Sequence, residues 1–80
     1  MDAARKEIRN ALASIVKNRN EKALNWAVEY ARFGIELIED NCDNDSLRIQ
    51  LMYVTGNISR WRGEEAKQVR DTLKNAIKSL

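Results

Sequence analysis

The sequence predicts an all-α fold, a four-helix up-down-up-down antiparallel bundle, and three observations lead there. The 80 residues contain no proline and only three glycines, so little breaks a helix from within. The composition is rich in Ala, Leu, Ile, Lys, Arg and Glu, which favour helix over strand. Apolar residues also recur three and four apart in four successive segments, the spacing of helix faces that share a core. A chain this short is expected to form one domain, residues 1–80, near the lower limit for an independent core.

The first helix is expected at about residues 2–18. Asp2 serves as N-cap, and Ala4, Ile8, Ala11, Leu12 and Ile15 form one stripe with Val16 at its margin. The tetrad Lys17-Asn18-Arg19-Asn20 ends it, and Asn20 is suited to cap the next helix. So short a connection predicts an antiparallel hairpin.

The second helix, about residues 21–41, is unusually apolar. Leu24, Ala27, Val28, Ala31, Ile35 and Ile38 fall on one stripe, and Trp26, Tyr30, Phe33 and Leu37 on a second beside it. The polar ridge left over spans only about 100° of the helical wheel. An ordinary surface helix has the reverse proportions, so this one calls for neighbours on more than one side. Asp40-Asn41-Cys42-Asp43-Asn44-Asp45 ends it with short polar side chains that favour turns and caps.

The third helix is expected at about residues 46–62. Leu47, Leu51, Val54, Ile58 and Trp61 repeat at spacings of four and three, a seam for packing against other helices. Ile49, Met52, Tyr53 and Gly56 share its opposite face and cannot reach the same core. Gly56 costs about 1 kcal/mol relative to alanine inside a helix, which suggests a close helix approach there. The fourth helix, about residues 64–79, follows the Gly63 junction, with Glu64 and Glu65 where a helix N-terminus favours negative charge. Ala66, Val69, Leu73, Ala76, Ile77 and Leu80 point inward.

These residues point away from catalysis. Without histidine there is no Ser-His-Asp or Cys-His arrangement, and the thiolate of Cys42, the one cysteine, is disfavoured by Asp40, Asp43 and Asp45. The Asp43/Asp45 alternation resembles the start of a calcium loop, yet the central glycine and closing glutamate are missing. Neither a metal, a cofactor nor a phosphate loop is expected. Charged residues interrupt the first twenty positions, and no apolar run is long enough to cross a bilayer. A cytoplasmic protein is expected, in keeping with a lone free thiol. The first and last quarters of the chain are net basic and the second is acidic, which suits their being neighbours in space.

Two binding modes follow. The leftover stripes, Trp26, Tyr30, Phe33 and Leu37 with Ile49, Met52, Tyr53 and Gly56, form an expected second interface, most simply that of a homodimer. The alternative is a nucleic-acid surface on the last helix, where Lys67, Arg70, Lys74 and Lys78 form a basic stripe near Arg60 and Arg62. Glu64 and Asp71 adjoin that stripe and weaken its field. A helix-turn-helix turning at Gly63 fails, because polar Ser59, Arg62 and Glu64 stand where small or buried residues belong.

The segment from Asn57 through Trp61-Arg62-Gly63-Glu64-Glu65-Ala66-Lys67-Gln68-Val69-Arg70 to Leu73-Lys74 resembles the C-terminal end of short uncharacterised proteins of phages and prophages. The resemblance covers about the last quarter of the chain. It implies a small intracellular accessory protein that works by binding, and transfers no catalytic residue.

Overall fold

Asp2 opens the first helix by accepting a hydrogen bond from the Arg5 backbone N–H at 2.7 Å. In the computed structural model, which describes residues 2–80, that helix is α1, Ala3–Lys17. It is followed by a 3-10 turn at Lys22–Leu24, then α2 (Ala27–Glu39), α3 (Asn44–Gly56) and α4 (Glu64–Ser79). Each helix packs against the next and α4 returns to α1, giving an antiparallel four-helix bundle.

The core is where the periodicity places it. Ile8, Ala11, Leu12 and Ile15 of α1 are buried, and so are Leu47, Leu51 and Val54 of α3 and Ala66, Val69 and Leu73 of α4. Ala4 is exposed, and Ala76, Ile77 and Leu80 are half-buried at the frayed end. From α2 the core receives mainly small residues: Ala27, Val28, Ala31 and Gly34, with Ile38 and, from the preceding turn, Leu24. Ile35 is only half-buried.

Gly34 holds the close approach that sequence reasoning assigned to Gly56. A Cβ built on Gly34 would sit 2.9 Å from Cδ1 of the fully buried Leu12, whereas one on Gly56 meets nothing within 4 Å. Leu12 therefore packs directly onto the α2 backbone. Beside it lies the one buried polar residue among those described, Gln50, whose Nε2 donates to the Tyr30 carbonyl at 2.9 Å and ties α3 to α2.

Three helix boundaries differ from the periodicity. The second helix starts not at residue 21 but as a tighter turn closed by i to i−3 bonds, Leu24 N–H to Glu21 O and Asn25 N–H to Lys22 O. Regular α-helix begins at Ala27. The third helix ends at Gly56 rather than near residue 62, where helix propensity fails and Asn57 Nδ2 donates back to the Tyr53 carbonyl at 2.8 Å. Ile58 and Trp61 remain buried but belong to the connecting segment. They fold over the end of the bundle, and Arg70 donates to the Trp61 carbonyl to fasten that segment to α4. At its start α3 begins two residues early, at Asn44 instead of Ser46, because Asp43 rather than a later residue is the cap, accepting from the Ser46 N–H and hydroxyl.

Asn41 ends α2 at φ 56°, with Cys42 N–H reaching the Leu37 carbonyl and Asn41 N–H the Ile38 carbonyl. This is the Schellman arrangement, and asparagine tolerates the left-handed conformation it needs. Gly63 stands at φ 112° before α4, a conformation that any side chain would strain.

Polar contacts fix the order of the helices around α1. Arg9 pairs with Glu39 of α2 at 2.8 Å, and Glu65 of α4 accepts from the Ser14 hydroxyl at 2.7 Å and pairs with Lys17 at 3.1 Å. Surface pairs of this kind contribute more to register than to stability. The Ser14 hydroxyl, then Lys17, hold the Glu65 carboxyl below its usual range. The Ser46 hydroxyl and N–H do the same for Asp43.

Both folded-state values are depressed, so the stability they contribute is complete above the unfolded carboxylate range and is lost as pH falls through the lowered values. Urea unfolding midpoints should therefore drop on acidification below about pH 4, and Ser14→Ala should make that drop shallower. Glycine substitutions should act with opposite signs. Gly34→Ala should lose on the order of 1 kcal/mol through overpacking on Leu12, despite its better helix propensity. Gly56→Ala, adding a methyl to open space, should gain about 0.5 kcal/mol.

Candidate functional site

Burying the small residues of α2 turns its large ones outward. Ala31 and Gly34 face the core, while Tyr30 and Phe33 lie roughly 100° further round the helix. Trp26 is 78% exposed and Phe33 50%, with Tyr30 less so at 39%. Leu37, on the same stripe, is half-buried. On α3 the same logic exposes Ile49, Met52 and Tyr53, each by half or more, and Gly56 beside them.

The two stripes meet. Tyr30 and Tyr53 stack with ring centroids 5.8 Å apart and an interplanar angle of 17°, joining the outer surfaces of α2 and α3 into one face. Gln50 sits beneath this joint, since its bond to the Tyr30 carbonyl fixes α3 against α2 where the rings meet. All eight residues assigned to an interface from the sequence thus belong to adjacent helices, seven exposed and Leu37 partly covered.

At four exposed aromatic rings, about 200 Å² each when fully exposed, the aromatics alone leave on the order of 450 Å² open, and Ile49 and Met52 add to it. The largest apolar patch on a typical monomer covers about 300–600 Å². Four charges near the face are paired within their own helices, Glu29 with Arg32 at 3.8 Å and Asp45 with Arg48 at 3.0 Å, while Glu36, three residues after Phe33, is exposed and forms no ion pair among the described residues.

One end of the face opens into a cleft of about 560 Å³. Trp26 and Gly56 line it, together with Lys22, Asn25, Asn57 and Arg60. Sequence reasoning missed Lys22 as part of any site, because the expected continuous helix placed it on a solvated ridge. The 3-10 turn sets it beside Trp26 instead.

The basic stripe of α4 is less uniform than its spacing implied. Lys67, Lys74 and Lys78 are exposed and, among the described residues, form no ion pair. Arg70 is half-buried and committed to the Trp61 carbonyl, and Arg62 turns back to the Ser59 carbonyl at 3.2 Å. Among the described residues, no three His, Cys, Asp or Glu side chains gather where a metal could be held. Cys42 has the Arg5 guanidinium alongside, which donates to the Cys42 carbonyl at 2.7 Å and to Asn44 Oδ1 at 3.0 Å. No helix among the described residues is long and apolar enough to cross a membrane.

No family model, curated protein sequence or solved structure matches the chain. The residues of the face are accordingly read from their own chemistry. If the tyrosine pair joins the two helices as its geometry indicates, a double-mutant cycle with Tyr30→Ala and Tyr53→Ala should show a favourable coupling of about 0.5 kcal/mol in urea unfolding. Additive losses would mean that the rings merely lie side by side.

Proposed function

We propose that this protein is a non-enzymatic interaction module that self-associates through the α2/α3 face, as a homodimer serving an accessory or regulatory role in the cytoplasm. The observation that carries the reading is the joined set Tyr30, Phe33, Ile49, Met52 and Tyr53, large apolar side chains kept outside a core that is already filled. Aromatic and methionine side chains are what interface centres tend to be made of. The three rings of this set leave on the order of 300 Å² open and Ile49 and Met52 add to it, an apolar centre that polar rim residues would extend toward the roughly 800 Å² per partner of a standard interface.

A second copy is the favoured occupant because the charges nearest the tyrosines largely cancel. Glu29–Arg32 and Asp45–Arg48 neutralise each other locally, so two copies of the face meet there with little like charge opposed, Glu36 being the exposed carboxylate of α2 that stays unpaired. A two-fold axis passing near the stacked tyrosines would let each stripe cover its counterpart. The phage-like C-terminal segment fits the same picture of a small protein that acts by binding. Its charged outer faces would stay free to meet a further protein.

Light scattering at micromolar concentration should give twice the chain mass for the wild type and the single-chain mass for Tyr53→Glu. Tyr53 is 55% exposed, so circular dichroism of the variant should remain helical. A wild-type monomer would remove the dimer reading.

A further inference from the structure

The cleft at the Trp26 end does not share the neutrality of the rest of the face. Lys22 and Arg60 both line it, and among the described residues neither side chain has an acidic partner or a hydrogen bond within the chain. Glu21 precedes Lys22 but does not line the cleft. Bringing these ends of two copies together would set four cations side by side, so this end is suited to an anion rather than to self-association. The aromatic that lines the cleft with these cations is Trp26, at 78% exposure the most exposed of the large apolar side chains. Nothing within 4 Å stands over Gly56, so a flat group has room against its backbone.

We propose that this cleft binds single-stranded nucleic acid, with a base stacked on Trp26 and the flanking phosphates held by Lys22 and Arg60. A planar aromatic platform beside unpaired cations is the combination that grips a single strand: every base offers a π-face, and the phosphates supply the charge. An acidic peptide would satisfy the cations but leave the indole without a flat partner. A duplex would hide its bases from Trp26. Asn25 and Asn57, also on the cleft wall, offer amides to base edges or sugar hydroxyls. The site differs from the basic stripe of α4, since only Arg60 is common to both. It also stands apart from the dimer reading, which rests on the tyrosine end of the face and is decided by mass.

The test uses fluorescein-labelled oligothymidylate and oligouridylate of about eight nucleotides, a length within the usual footprint of single-strand binding folds, and follows anisotropy with the full chain at about 20 mM salt, where electrostatic association is strongest. Unlabelled oligomer should also quench the tryptophan emission, because Trp26 is open to solvent while Trp61 is only 5% exposed. Trp26→Ala should weaken binding about 5- to 150-fold, the loss of one base stack of about 1–3 kcal/mol. The pair Lys22→Glu and Arg60→Glu should remove binding, and triple replacement of Lys67, Lys74 and Lys78 by Gln should leave it within about twofold. All these side chains are exposed, and circular dichroism verifies that each variant is folded. Absence of binding at low salt overturns the proposal, as does binding that survives Trp26→Ala or is lost only in the lysine triple. Equal affinity for duplex, or for a mononucleotide, would also overturn it.

Discussion

The contact between Leu12 and the bare backbone at Gly34 is the constraint on which the rest of the molecule depends. A leucine packed directly on a helix backbone brings α1 and α2 closer than two ordinary side chains allow. That proximity selects small partners along the same line of α2, Ala27 and Ala31, both fully buried. It also decides what α2 cannot bury. With its small side turned to the core, the bulky side has no room inside, and Tyr30 and Phe33 are left at the surface. A large residue at position 34 would push the helices apart and change which stripe of α2 is covered. The core and the exposed face are thus two consequences of one packing choice.

Much of this was legible in the sequence, and the exceptions have particular causes. The seam Leu47, Leu51, Val54, Ile58 and Trp61 was read as core and is core throughout. Its last two members misled only about helix length: a chain folding back over the end of a bundle can keep the apolar period after its helix has stopped. The face residues were legible because two stripes on one helix cannot both meet the same neighbour. Gly34 and Gln50 were passed over, although each completes a three-four spacing, Gly34 between Ala31 and Ile38 and Gln50 between Leu47 and Val54. A glycine carries no hydropathy and a glutamine carries the wrong sign, so a pattern based on apolarity skips both. What places them is space in one case and a backbone carbonyl in the other, and these are properties of the neighbouring helix.

Polar contacts complete what packing leaves open. A bundle with a filled core can still slide or rotate its helices at small cost, and α1 counters this along its whole length. Arg5 holds the α2–α3 loop through the Cys42 carbonyl and Asn44, Arg9 reaches Glu39, and Ser14 with Lys17 holds Glu65. The basic character of the first quarter and the acidic character of the second are expressed here as specific pairs. Among the charges outside this scheme are Lys22 and Arg60 at the cleft and the three lysines on α4, besides exposed carboxylates such as Glu21, Glu36 and Glu64. Charge that the fold does not use for its own register remains available to something else.

The same division separates stability from binding. Hydrophobic residues exposed singly need no explanation, but an aromatic pair stacked across two helices and continued by Phe33, Ile49 and Met52 does. Such a face contributes little to the isolated fold, because all of its side chains except Tyr30 keep half or more of their area in water. The core closes without it. Trp26 makes the point most clearly. It lies next to Ala27, where α2 enters the core, yet the 3-10 turn before it sends Leu24 inward and leaves the indole in solvent, lining the same cleft as Lys22 and Arg60. With 78% of its surface in water, the indole gives the core little, and its exposure follows from the turn that buries Leu24 in its place.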